Sequence, residues 1–216
     1  EATASQIVEE NFFADLVIGN NVMGHVPKVN DFVAGLRILL KPEGVLTMEF
    51  PHVMRLLEEN QFDTIYHEHF SYWSLLALQQ VFVSHDLTVF DVEELPTHGG
   101  SLRIFTCPRG NENGARAMTG RVEELRQREL SAGLNRAETY IEFSERVNNV
   151  KRQLLSFLIQ AKNEGKTVAG YGAPAKGNTL LNYCGIRGDL LEVTVDISPH
   201  KQGRFLPGTH IPIFHP

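Results

Sequence analysis

The densest run of proton-handling side chains is Tyr66, His67, Glu68 and His69, within QFDTIYHEHFSYWS (Gln61 to Ser74) and among apolar and aromatic neighbours. An imidazole titrates near neutrality, so one held in place takes a proton at cellular pH. Tyr66 and His69 share a face if the local backbone is helical; His67 and His69 share one if it is extended. The extended case admits a metal reading, because two such imidazoles can bind zinc. No third ligand stands at a recognisable spacing, so no metal is expected. The plainer alternative is a surface loop of hydrogen-bonded histidines.

Three further groups carry polar chemistry. Asn20 and Asn21 end the run ADLVIGNN, with His25 shortly after, and Glu49 and His52 stand at and just past the end of GVLTMEFP. Both runs read as buried parallel strands, and open α/β sheets place ligands at the carboxyl ends of such strands. In PTHGGSLRIF, Gly99 and Gly100 permit a tight turn or a close backbone approach, with His98 beside them. A hairpin turn explains that motif equally well. In VAGYGAPAKGNTLLN, Gly170 and Gly172 stand between a strand and a helix, as in turns that cradle phosphate at a helix N-terminus. Ala175 occupies the third glycine's place, Lys176 adds a cation, and Asp196 ends the next strand where a ribose-binding acid would sit. The phosphate could belong to a dinucleotide or to a substrate, and a simple packing turn is the alternative.

The elements that must hold these residues follow from periodicity. Glu1 to Phe13 reads as the end of a helix, Ala14 to Asn21 as a strand, and Pro27 to Leu40 as an amphipathic helix with Val29, Phe32, Val33, Leu36, Leu39 and Leu40 on one stripe. KPEG reads as a turn, with Gly44 able to take a positive φ, and GVLTMEFP as the next strand. Strand, helix, turn, strand is a βαβ unit, so a parallel sheet is expected. His52 to Phe70 is irregular in period, and Trp73 to His85 is helical. LTVFDVEEL and SLRIFTC make a hairpin, and CPRGNENG marks a linker. A long amphipathic helix spans Leu134 to Asn163 with Gly165 as its stop, followed by strand, glycine turn, helix AKGNTLLNYC and strand LEVTVDIS. The expected organisation is a partial α/β domain over 1–106, a linker over 107–130 and a second α/β domain over 131–216.

Composition bounds the function. The chain has 216 residues, 42% hydrophobic and 21% charged, as in an ordinary globular protein. A net charge of −6 with scattered Lys and Arg argues against nucleic acid or a membrane surface as partner. No run approaches a membrane span. Cys107 and Cys184 stand alone, which excludes a disulfide scaffold or a four-cysteine zinc site and fits a cytoplasmic location. The first residue is Glu1 rather than Met, and HIPIFHP stops after an apparent strand, so truncation at both ends is expected.

The order GNNVMGHV, LLKPEGVLTMEFP, QFDTIYHEHFSYWS, THGGSLRIF, GYGAPAKGNTLLN resembles the S-adenosylmethionine-dependent C-methyltransferases that act on keto-deoxy nucleotide sugars. YHEHFSYWS and GYGAPAKGNTLLN are its specific parts, and the similarity covers nearly the whole chain. The resemblance implies the second half of a class I methyltransferase sheet, followed by a truncated Rossmann-like domain that helps hold the nucleotide sugar. It implies a zinc site only in an N-terminal domain outside this sequence, and the cofactor's glycine loop likewise falls outside it. On the family's pattern His69 is the leading general base, with Tyr66, Glu68 and His25 as its catalytic companions. Asn20 and Asn21 then face the cofactor, S-adenosylmethionine. Gly172, Ala173, Lys176, Asn178 and Asp196 face the substrate's diphosphate. Isolated, the fragment is expected to be inactive. The alternatives are an NAD(P)-dependent oxidoreductase using GYGAPAKG and a non-catalytic nucleotide-sugar binding fragment; oligomeric state is not legible.

Overall fold

The computed structural model describes residues 1–113 and 116–216. Two compact units emerge: Glu1–Gln61 with His67–Tyr140, and Phe62–Tyr66 with Ile141–Pro216.

In the first unit, helix α1 (Ala2–Glu9) leads into strand β1 (Ala14–Asn20), then α2 (Val29–Leu39), β2 (Leu40–Pro51), α3 (Val53–Glu58), α4 (Leu75–Val83), β3 (Leu87–Leu95), β4 (Ser101–Pro108) and α5 (Gly120–Ser131). The sheet runs β1-β2-β4-β3, with β1 and β2 parallel and the remaining pairs antiparallel. This is the expected mixed arrangement of a parallel pair plus a hairpin. Alternation along β2 turns Leu46, Met48 and Phe50 inward against Leu102 and Ile104 of β4. Val33 and Leu36 of α2, Leu75, Leu78 and Phe82 of α4, and Val122 and Leu125 of α5 complete that core. The opposite side chains of the edge strand β1, Leu16 and Ile18, are exposed.

Three sequence expectations need correcting. KPEG does not stand between helix and strand as a separate turn: it falls inside β2, which begins at Leu40, and the register shifts across it, Ala14 pairing with Leu40 and Leu16 with Val45. Gly44 is not among the positive-φ glycines; it is needed because a Cβ there would lie 2.8 Å from the Ala14 carbonyl oxygen and 2.9 Å from Leu40 Cδ2. The expected linker over 107–130 contains residues 114–115, outside the described set, but its later part is α5, which packs on β3 and α4. The first unit therefore reaches Tyr140 rather than ending at 106. Within the supposedly irregular stretch lies α3, whose Val53, Leu56 and Leu57 are buried at helical spacing.

In the second unit, a one-turn helix at Phe62–Thr64 packs on α7, with the Phe62 and Tyr183 rings 5.2 Å apart. Helix α6 (Ala137–Asn163) enters this unit from Ile141, and Gly165 at φ +72° follows its end. Strand β5 (Ala169–Tyr171), α7 (Ala175–Cys184), β6 (Val193–Val195) and β7 (Ile213–Phe214) follow, giving a parallel sheet β5-β6-β7. Leu158, Cys184, Ile186, Leu191, Leu206, Ile211 and Ile213 form its core. Gly185 in the left-handed region closes α7, as a C-terminal glycine does.

Candidate active site

The carboxyl end of β1 is built first. Asn20 pairs in register with Glu49 of β2 and is exposed. Asn21 turns the chain in the left-handed region at φ 56°, donating its backbone N–H to the Glu49 carbonyl. The one-turn helix Met23–His25 follows, with Met23 fully buried beneath it.

That turn receives the histidine segment. Phe70 N–H donates to the Gly24 carbonyl at 2.8 Å, and Trp73 Nε1–H to the Met23 carbonyl at 3.4 Å. A Cβ on Gly24 would lie 3.4 Å from the Ser71 carbonyl oxygen and 4.0 Å from His69 Cδ2, so the segment packs closely on this glycine. The consequence is a cluster of rings: His25 and His69 lie edge to face with centroids 4.8 Å apart, and Tyr72 stands 5.9 Å from His69. His69 is half-buried and His25 exposed. His25 Nδ1 lies 3.0 Å from the Glu68 carbonyl oxygen. A carbonyl only accepts, so Nδ1 carries the hydrogen and, in the neutral ring, Nε2 keeps its lone pair. Glu68 thus enters the cluster through its backbone, while its side chain is exposed. Tyr66 belongs to the other unit, and His67 is exposed. Among the described residues no group of three or more His, Cys, Asp or Glu is placed to hold a metal.

A second polar group stands beside the first strand end. Glu49 of β2, Arg103 of β4 and Glu93 of β3 face one another in register, with ion pairs of 2.7 and 2.9 Å. Thr97 Oγ1 also donates to Glu49 at 2.9 Å. Burial pushes the Glu49 carboxyl up; the hydrogen bonds from Arg103 and Thr97, with the charges of Arg103 and His98, outweigh it and hold the group below the usual carboxylate range. His98, at φ 55°, meets Asn21: Nδ2 of the amide lies 3.0 Å from Nε2 of the ring. Two non-glycine residues in the left-handed region therefore hold each other. Among the described residues Asn21 Oδ1 is left buried with no protein partner, an acceptor without a donor. That orphan fits a cofactor bearing amine and hydroxyl donors. Thr97, Arg103, Tyr72 and Gly24 were absent from the sequence reading of the site. The signal available was the strand register, which sets Arg103 directly opposite Glu49.

In the second unit, Gly172 adopts φ +100° after β5 and leads through Pro174 into α7. Both Asp196 oxygens are committed: one accepts from Ser198 N–H, the other from Ala173 N–H and Lys201 Nζ. The Ser198 amide, then Lys201 and the Ala173 amide, pull its pKa down to about 2. Asp196 therefore clamps the Gly172–Ala173 turn. Lys176 is exposed on the first turn of α7, and Asn178 accepts from Asn182 within that helix.

Comparison with known proteins identifies the family. Residues 96–216 match the family model described as the C-methyltransferase C-terminal domain, and residues 2–92 match a methyltransferase domain model. The C-methyltransferase NovU of Streptomyces niveus is 40% identical over 211 residues, covering 98% of this chain and 50% of NovU. The chain thus spans half the length of that curated relative. Among solved structures, a S-adenosylmethionine-dependent methyltransferase of Anabaena variabilis aligns over 49% of this chain and 54% of its own at 15% identity (TM-score 0.38). The magnesium protoporphyrin IX methyltransferase of Synechocystis aligns over 45% and 46% at 13% identity (TM-score 0.37). The assignment rests on the family models and the Streptomyces relative: the chain belongs to the C-methyltransferase family.

Proposed function

We propose that this chain carries the base and part of the substrate site of an S-adenosylmethionine-dependent methyltransferase that methylates a carbon next to the ketone of a keto-deoxy nucleotide sugar. The observation that carries the proposal is the half-buried His69 ring against His25 at the carboxyl end of β1. There, on this reading, His69 takes the proton from the carbon, the C–H electron pair moves toward the carbonyl oxygen, and the enolate carbon becomes nucleophilic. Base help of this kind accounts for about a hundredfold to ten-thousandfold in rate. His25 orients the site and is the rival base through its Nε2, and the Glu68 carboxylate is a hydrogen-bonding partner of the substrate; Tyr66 is proposed, by resemblance to the family alone, as a supporting catalytic group. Asn20 and Asn21 would hold the cofactor, with the Asn21 Oδ1 orphan accepting from one of its donors. When bound, the cofactor supplies an electrophilic methyl group.

The Gly172–Asn178 turn, with Lys176, would hold the diphosphate at the N-terminus of α7, where backbone N–H groups favour anions. Asp196 serves there by fixing the turn. The second unit then acts as a Rossmann-like support for the nucleotide.

The test replaces His69 by Asn in the full-length protein and follows methyl transfer to a thymidine diphosphate keto-deoxysugar. A loss of about a hundredfold or more at saturating substrate is expected. An unchanged rate would remove His69 as base, and a comparable loss only in His25→Asn would transfer the role.

A further inference from the structure

Glu129 lies on α5, fully buried, and no reaction step described above uses it. Its Oε1 accepts from His52 Nε2 at 2.7 Å and from Leu75 N–H at 2.7 Å, and Oε2 from Leu76 N–H at 2.9 Å. Leu75 and Leu76 open α4, and the third free amide of that turn, Ala77 N–H, is taken by the Ser74 hydroxyl. A carboxylate in that place satisfies otherwise orphaned donors and opposes the positive end of the helix. His52 is buried as well, at the end of β2. Its backbone N–H binds the Gly100 carbonyl, the following Val53 N–H binds the Trp73 carbonyl, and His52 bridges to Trp73.

The stretch from Glu68 to Leu76 is therefore held at both ends. At its start Gly24 and His25 take Phe70 N–H and the Glu68 carbonyl; at its close Glu129 and His52 grip Trp73 to Leu76. His69 and Tyr72 stand between the two grips. We infer that Glu129 and His52 are positioning residues that set the reach of the His69 ring by anchoring the start of α4. The inference rests on the reading of His69 as the base. Misplacement by about an ångström of a reacting group can cost on the order of a hundredfold in rate. A lost anchor should therefore act on the chemical step more than on binding.

The test uses the full-length enzyme at a temperature where circular dichroism shows each variant folded, with rates normalised to folded protein. His52→Leu removes the donor to Glu129, whereas His52→Gln keeps an N–H near the same place. The expected result is a fall of about tenfold or more in kcat for His52→Leu with KM changed by less than about threefold, and recovery of most of that loss in His52→Gln. Equal kcat in His52→Leu and wild type overturns the inference, as does an equal loss in both variants. Assayed alongside, His69→Asn separates the failures: if it too leaves the rate intact, the base assignment has failed instead. Should the His52 variants not fold, hydrogen exchange on the wild-type protein decides. The Leu75 and Leu76 amides are expected to be protected about a hundredfold or more, and free exchange there overturns the anchor.

Discussion

Glu49 illustrates how one buried carboxylate sets the chemistry of a strand end. Arg103 and Thr97 hold it ionised at 5% exposure. Replacing Arg103 by Met removes a charge-assisted hydrogen bond and leaves a buried anion, a loss of about 1.5–3 kcal/mol. The sign with pH follows from the lowered pKa of Glu49. The stabilisation is complete above the unfolded carboxylate value of about 4.3 and disappears as pH falls through the lower folded value. Urea denaturation of wild type and Arg103→Met should show a gap at neutral pH that closes in strong acid. A constant gap would mean that Arg103 acts through packing alone. Asp196 obeys the same rule with a folded value of about 2. Its clamp on the Ala173 amide should let go as pH drops from about 4 through 2, read as faster Ala173 amide exchange on acidification after correction for the intrinsic rate.

At the level of elements, glycines discriminate between packing and conformation. A Cβ at Gly44 meets the Ala14 backbone carbonyl, which cannot step aside without moving β1; at Gly19 it meets the Met48 thioether, which can swing away in part. Gly44→Ala should cost about 1–3 kcal/mol in thermal or urea denaturation, and Gly19→Ala less. The reverse order would contradict the β1–β2 register. The same strands show what the sequence made legible. The βαβ unit, the hairpin and the strand–turn–helix at Gly172 follow from patterns of apolar residues that end in turn formers, and those patterns are local. At KPEG, Pro42 and Gly44 signal a turn, and the register does shift there, but within the span of β2 rather than before it. Helix α5 escaped because GRVEELRQRELS offers only a few apolar positions, and its deepest side chain, Glu129, is stabilised by donors from residues 52, 75 and 76. A buried carboxylate satisfied at such sequence distance leaves no local mark. The meeting of His25 with His69 is likewise non-local; the resemblance suggested those residues, and strand-end logic alone gave only His25.

For the molecule as a whole, 211 of the 216 residues match half of a longer relative, and the chain divides into two units with separate cores. On the proposed reading the first carries the base and the second the nucleotide. The reading therefore separates two losses in the full-length protein. Lys176→Ala should weaken binding of a thymidine diphosphate sugar by calorimetry, by about tenfold for one charge-assisted contact, while leaving the chemical step untouched. Tight NADH binding at the same turn would instead support oxidoreductase chemistry. The base can be tested without any methyl transfer. Full-length enzyme incubated in deuterium oxide with the keto-deoxy nucleotide sugar should replace the hydrogen beside the ketone by deuterium, followed by proton magnetic resonance, and His69→Asn should abolish that exchange. Exchange that continues undiminished in the folded variant would contradict the account.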